Sequence, residues 1–223
     1  MVVDILQASP LELLVKAIRK CYESEDKSDS AWDFGCDSET GNYISYFVLG
    51  DKDKALIEKI IVSGHTSTLE HLVFSFDIDG LSRAALQELA RHRLASYSVK
   101  STRYTLKKLG PNDCQGGECG SDNCPMLRSI VPSGNERIDH LSARTVCDAL
   151  DIIKQEGLSN DVGKYGIPEA LKTSLIMTIN ARSLRNFFEL RSSARALREM
   201  QELACKLYNA LPFEMKFLFA DCM

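Results

Sequence analysis

Apolar residues fall at helical spacing in "PLELLVKAIRKCYE", directly after Ser9 and Pro10, a pair that starts helices. "DKDKALIEKIIVSG" repeats the pattern, with Asp51 placed to cap it and Gly64 to end it. "HLVFSFDID" alternates instead. Val73 lies opposite Phe74 and Phe76, which predicts a strand. "LSRAALQELARHRLA" is rich in Leu and Ala and predicts a helix over 81–94. "STRYTLKKL" reads as extended, residues 136–156 as helix, and "SLIMTIN" as a short buried strand. "ARSLRNFFELRSSARALREMQELACKLYNAL" is helical up to Pro212, with a division expected at Ser192 and Ser193. Many helices with a few separate strands predict an α+β fold, in one domain over 1–223. Residues 110–134 collect glycines and prolines from Gly110 to Gly134 and are expected to be a surface insertion.

Two polar stretches interrupt this pattern. In "RHRLASYSVKSTRY" (91–104), a helix would place Glu88 under Arg91 and His92, three and four residues on. Consecutive Arg91, His92 and Arg93 would then point three ways around it. One solvated face cannot hold all three, so at least one must meet the core, another subunit or a ligand. Downstream, Ser101, Arg103 and Thr105 would share one side of an extended segment. The arginine fork and serine hydroxyls suit phosphate. Phosphate or nucleotide binding and a structural ion-pair cluster both stand as readings. In "NARSLRNFFELR" (180–191), Leu184, Phe187 and Phe188 mark the apolar face, and Arg191 extends it. Such an arginine needs a partner or an anion. A buried ion pair, with Glu202 or Asp4, and a ligand's anionic group are both open. Arg182, Asn186 and Glu189 form a separate stripe.

"GHTSTLEH" (64–71) lies between a helix and a strand. His65, Glu70 and His71 have no familiar metal spacing there, and no metal is expected.

Composition limits what these stretches can do. The net charge is −4, so a general grip on nucleic acid or an anionic membrane is not expected, and any anion site must be local. No apolar run reaches the roughly 20 residues of a bilayer span. The start, "MVVDILQASPLELL", carries Asp4 and no basic lead, so it does not read as a signal peptide. A cytoplasmic protein with reduced cysteines is expected. Cys21, Cys36, Cys147, Cys205 and Cys222 read as small core or surface residues. Cys114, Cys119 and Cys124 lack C-x-x-C spacing and a fourth ligand, so a flexible reduced loop is expected there. There is no GxGxxG after a strand and no Walker A loop. No cysteine lies within or beside the three polar stretches, so none is a candidate nucleophile.

Together these residues resemble the flavin-dependent thymidylate synthases. That family's signature is R-H-R-x-x-S-x-N-x-x-S-x-R, and Arg91, His92, Arg93, Ser96, Ser101 and Arg103 stand in register with it. Position 98 is serine where the pattern has asparagine. Val99 stands where many members have glutamate. "GHTSTLEHLVFSF" resembles the G-H-x-S/T-x-x-E-H segment, and "NARSLRNFFELR" resembles N-A-R-S-L-x-N-F-x-x-L-R. The likeness covers roughly residues 50 to 210, outside the Cys-rich loop.

The resemblance implies several helices packed with a small, mostly antiparallel sheet. It implies FAD held by His65, Ser67, Arg91, His92, Arg93, Val99, Asn180, Ala181, Arg182 and Asn186. It implies the substrate dUMP held by Glu88, Leu89, Ala90, Arg91, Val99, Lys100, Ser101, Thr102, Arg103, Lys164 and Arg191. Lys164 stands where many members have arginine, and Arg191 is the position named as catalytic. Also implied are NADPH and 5,10-methylenetetrahydrofolate as co-substrates, and a homotetramer with sites shared between subunits. Rival readings are a nucleic-acid-binding helix protein and a catalytically inactive nucleotide-binding relative.

Overall fold

The elements run in the order β1 (Val2–Ala8), α1 (Leu11–Cys21), β2 (Ala31–Cys36), β3 (Tyr43–Val48), α2 (Asp51–Val62), β4 (Val73–Ser82), α3 (Arg83–Leu89), β5 (Ala95–Val99), α4 (Thr102–Thr105), α5 (Glu136–Gln155), α6 (Asn160–Gly163), β6 (Lys172–Asn180), α7 (Ala181–Arg191) and α8 (Arg198–Ala210). This computed structural model describes residues 1–37, 40, 42–109 and 124–223. The α+β class is the one expected. A four-stranded sheet has the order β1-β4-β6-β5, and β2 and β3 form a separate antiparallel ribbon.

The strongest patterns became the elements they predicted. β4 and β6 alternate, with Phe74, Phe76 and Ile78 buried on one and Leu175, Met177 and Ile179 on the other. The helix after residue 180 divides as expected, with Ser192 at the C-cap of α7. Gly64 follows α2 with a φ of 76°, which suits glycine.

Four expectations need correction. Asp51 does not cap α2. Gly50 holds the N-cap position without a side-chain bond, and the Asp29 carboxylate accepts the N–H groups of Lys52 and Asp53 at 2.9 and 3.1 Å. The helix expected over 81–94 stops at Leu89, because the Tyr97 hydroxyl donates to the carbonyls of Leu89 and His92 at 3.0 and 2.9 Å. "STRYTLKKL" is not extended. The Ser101 carbonyl accepts the N–H groups of Tyr104 and Thr105, winding α4 and sending Leu106 into the core. The supposed surface loop also contains core. Cys124, Met126 and Ile130 are buried in one cluster with Val146, Cys147, Leu150 and Ile153 of α5. Cys114 and Cys119 lie outside the described residues.

The chain divides into two compact units. One comprises Met1–Val3, Asp77–Arg93 and Tyr97–Met177; the other comprises Asp4–Phe76, Leu94–Ser96 and Thr178–Met223. In the first, the α5 cluster is the core, and Gly163 lets α6 approach Ile153, where a methyl group would overlap its side chain. In the second, Phe74, Phe188 and Phe219 meet edge-to-face, with ring centroids 5.5–5.9 Å apart.

The second unit also buries an ion pair. Arg19 Nε and Nη2 both reach Asp53 Oδ1 at 2.6 Å, and Ser28 and Ser30 hydroxyls donate to Oδ2 at 2.5 and 2.6 Å. Burial pushes the Asp53 carboxyl up, but the Ser28, Ser30 and Arg19 hydrogen bonds and the arginine charge outweigh it and hold it below its ordinary value. Its contribution to stability is therefore complete above the unfolded value, near ~3.9, and is lost as pH falls through the lower folded value. Asp53→Ala leaves Arg19 buried and unpaired, and should cost about 3–5 kcal/mol in urea unfolding at neutral pH. Asp53→Asn should flatten the acid limb of the stability–pH curve. An unchanged acid limb would remove Asp53 from that account.

Candidate functional site

In the first unit, α3 delivers the Arg-His-Arg stretch to a turn rather than to a helix. Arg91 and His92 N–H groups close that turn on Glu88 and Leu89 carbonyls. His92 is largely buried, while Arg91 and Arg93 are exposed. The three residues do diverge, as expected, but through a turn. Glu88 still reaches Arg91 at 3.6 Å. Leu89 is buried and Ala90 exposed. Burial pushes the Tyr97 phenol up to about 12, so it stays a hydrogen-bond donor throughout the neutral range.

Beyond the turn, β5 is an edge strand. Ser96 and Ser98 face outward, and Tyr97 and Val99 are half-buried. The Lys100 N–H then bonds to the Ser174 carbonyl of β6 at 2.8 Å. Ser101 is exposed at the start of α4, and its hydroxyl makes no capping bond. Thr102 is half-buried. Arg103 Nε pairs with Asp161 at 3.2 Å, and the Asn160 side chain donates to the Arg103 carbonyl at 2.8 Å. Those two bonds tie Arg103 to α6, directly before Lys164. Lys164 is exposed, 5.7 Å from the Tyr165 ring centroid. Thus Lys100–Arg103 and Lys164 come together although α5 separates them in sequence.

The same unit adds residues that sequence reasoning missed. Arg83, Lys100 and Lys172 line one small cavity with Thr102, Thr105 and Thr173. Arg83 Nη1 is buried there with no hydrogen-bond partner among the described residues. Its one sequence signal was a cation at the first position of a helix, where the dipole disfavours it.

In the second unit, "GHTSTLEH" forms a 3-10 segment, Thr66–His71, with His65 at its N-cap. His65, Ser67, Glu70 and His71 are exposed. This segment is tied to the start of α7. The Ala181 N–H donates to the Leu72 carbonyl at 2.8 Å, and Arg182 Nη1 reaches Glu70 at 2.6 Å. The Asn180 side chain accepts the Ser183 N–H at 2.8 Å, which caps α7. Asn186 is exposed on α7, and Arg191 is half-buried in its last turn, where the helix dipole favours a cation.

The buried ion pair considered for Arg191 is made instead by Arg185. It binds Asp221 through both terminal nitrogens at 2.6–2.7 Å and also donates to the Leu218 carbonyl. The Arg185 hydrogen bonds hold the Asp221 carboxyl below its ordinary value, and burial pushes the neighbouring Cys222 thiol up to about 12. Glu202 pairs with Lys206 at 3.6 Å. Among the described residues, no group of three His, Cys, Asp or Glu side chains could hold a metal ion. No helix there is long and apolar enough to cross a membrane.

An α+β chain that gathers exposed arginines, hydroxyls and amides at strand ends has the make-up of a nucleotide-binding protein. The comparison with known families is specific. The model described as "Thymidylate synthase complementing protein" matches residues 3–212, and the chain belongs to that family. The flavin-dependent thymidylate synthase of Helicobacter pylori strain 26695 is 42% identical over 217 residues, 96% of this chain and 95% of that protein. The protein of the same name from Campylobacter jejuni strain RM1221 is 43% identical over 224 residues, 100% of this chain and 98% of that one. The crystal structure of Thymidylate Synthase X from Helicobacter pylori, with FAD and dUMP, superposes with a TM-score of 0.85 at 41% identity. It covers 100% of this chain and 99% of its own.

Tyr97 is the residue that sets the Arg-His-Arg turn. Tyr97→Phe should lower stability by about 1–2 kcal/mol, because two carbonyls lose their donor. It should also raise amide exchange at Arg91–Arg93. Unchanged exchange there would show that the turn does not depend on the hydroxyl.

Proposed function

We propose that this chain is a flavin-dependent thymidylate synthase that converts dUMP to dTMP, with methylenetetrahydrofolate as carbon donor and NADPH as the source of electrons. One observation carries most of the support. The Leu72–Ala181 and Glu70–Arg182 bonds join "GHTSTLEH" to "NARSLRNFFELR", residues 112 positions apart, and these are two segments the resemblance assigns to the flavin.

The residues present fit FAD. Arg182 and Asn186 are exposed on α7, His65 and Ser67 are exposed on the segment tied to it, and Arg91 and Arg93 are exposed cations. Thr68 Oγ1 and Ser183 Oγ are buried at the same junction with no partner among the described residues. The half-exposed Arg182–Glu70 pair is worth only about 0–1 kcal/mol, so it orients the guanidinium yet exchanges cheaply for a phosphate. When bound, FAD supplies hydride chemistry.

The chain's own groups bind and polarise. Glu88, Arg91 and the Val99–Arg103 segment would hold dUMP, with Arg103 and Lys164 neutralising phosphate or orienting the base. Lys164 offers charge without the planar fork of arginine. Arg191 would hold the negative charge that develops on the pyrimidine as C5 becomes nucleophilic. No thiol is needed. We place the enzyme in the cytoplasm, as a homotetramer whose sites are shared between subunits.

The purified protein should be yellow and should release tritium from 5-tritiated dUMP only with NADPH and the folate present. A colourless protein unable to bind FAD would sink the proposal. Arg191→Ala should cut turnover by roughly 10²–10³-fold or more with flavin retained; near-normal rates would remove it from catalysis. Ser101→Ala should weaken dUMP about fivefold, the loss of one hydrogen bond, with FAD affinity unchanged. The Ser101 hydroxyl caps nothing in α4, so an equal loss of both ligands would mean a structural role.

A further inference from the structure

The β2–β3 ribbon pairs with no other strand of the described chain. Its register sets Trp32 against Phe47, Phe34 against Ser45 and Cys36 against Tyr43 on one face. Ile44, Tyr46 and Val48 lie on the other. Phe34 is 74% exposed and Tyr43 89%, and Trp32, Ile44, Tyr46 and Val48 are each close to half exposed. Soluble monomers rarely leave so much contiguous apolar surface uncovered. A lone two-stranded ribbon is also marginal in water. Yet its root is built firmly. Ser28 and Ser30, just before β2, bond to the buried Asp53, and Gly50, just after β3, donates to the Ser30 hydroxyl at 2.9 Å. The ribbon is held out in a set direction with its faces bare.

We propose that the β2–β3 ribbon is a contact surface between copies of this chain, covered by the same ribbon of a second copy. The exposed parts of the six apolar side chains present roughly 600–700 Å², close to the ~800 Å² per partner of a stable interface. Asp33 is the one charged residue in the two strands, and interface cores are likewise aromatic-rich and charge-poor. Both outer edges keep unpaired backbone groups, and a twofold-related ribbon satisfies them by antiparallel addition. A basic surface for nucleic acid is missing from both strands. Insertion into lipid would leave those edge groups unbonded.

The proposal rests on the homo-oligomeric part of the reading above and names the surface that part leaves open. It is tested on the full chain by sedimentation equilibrium, with FAD binding measured on the same samples. Phe34→Lys with Tyr43→Lys should weaken self-association at least tenfold while circular dichroism is unchanged. Phe34→Glu with Tyr43→Glu should do the same. Mixing the two variants should restore association, because opposite charges then meet ribbon to ribbon. An unchanged mass in either variant overturns the proposal. So does weakened association that mixing does not restore, or ribbon-dependent binding to phosphatidylcholine–phosphatidylglycerol vesicles without any change in mass. A flavin-binding wild-type monomer would sink this inference alone; an oligomer without FAD would sink the enzymatic reading alone.

Discussion

The register between β4 and β6 is the constraint on which the rest of the molecule depends. Leu72 meets Ala181, Ser75 meets Thr178, and Asp79 meets Ser174, so position rises along β4 as it falls along β6. Beyond the strands the pairing continues, with the Arg83 and Ala84 N–H groups on the Leu171 and Glu169 carbonyls. A slip of one residue would turn Phe74, Phe76 and Ile78 outward and expose Met177 and Ile179. It would also part the segments that carry the chemistry. "GHTSTLEH" immediately precedes β4, and "NARSLRNFFELR" follows β6. The antiparallel register makes those two ends meet, so residues far apart in sequence become neighbours without any long-range steering of their own.

Arginines in this chain fall into two energetic classes. Arg19 and Arg185 are buried, and each makes several short bonds to a carboxylate. Removing either acid would strand a buried charge, so these pairs are bound into the fold. Arg91, Arg103 and Arg182 pair with Glu88, Asp161 and Glu70 at the surface instead. Such pairs contribute little to stability and are screened by salt. They orient a guanidinium while leaving it exchangeable. That difference, more than the count of positive residues, separates scaffold from site in a protein whose net charge is negative.

Strong periodicity made α1, α2, α5, α7, α8, β4 and β6 legible from the sequence. What escaped were elements whose local pattern is weak or whose partner is distant. β1 and the β2–β3 ribbon gave no clean alternation of buried and exposed positions. β5 did carry one, Ala-Ser-Tyr-Ser-Val, but it was hidden inside a stretch whose charge drew attention to a helix. The end of α3 was illegible because it depends on Tyr97, a residue beyond the helix. The missing cap of α2 has the same cause, since Asp29 lies more than twenty positions upstream. The three motifs gave the site residues themselves, while the meeting of Arg103 with α6 and the buried guanidinium of Arg83 needed coordinates.

The stretch from Arg91 to Tyr104 shows how an acidic protein carries a concentrated cationic, hydroxyl-rich segment. It is not one helix but a turn, an edge strand and a helical turn in series. Each changes direction after a few residues, so each exposes its polar atoms while giving up one anchor. His92 is largely buried in the turn, Tyr97 bonds back to that turn from the strand, and Leu106 is buried after the helical turn. Those anchors bear the cost of holding Arg91, Arg93, Ser101 and Arg103 outward. A continuous helix with the same composition would have put one of every few cations toward the core. Breaking the segment avoids that, and it explains why two departures from the family pattern, Ser98 and Val99, are tolerated: one faces outward on an edge strand and the other is only half-buried.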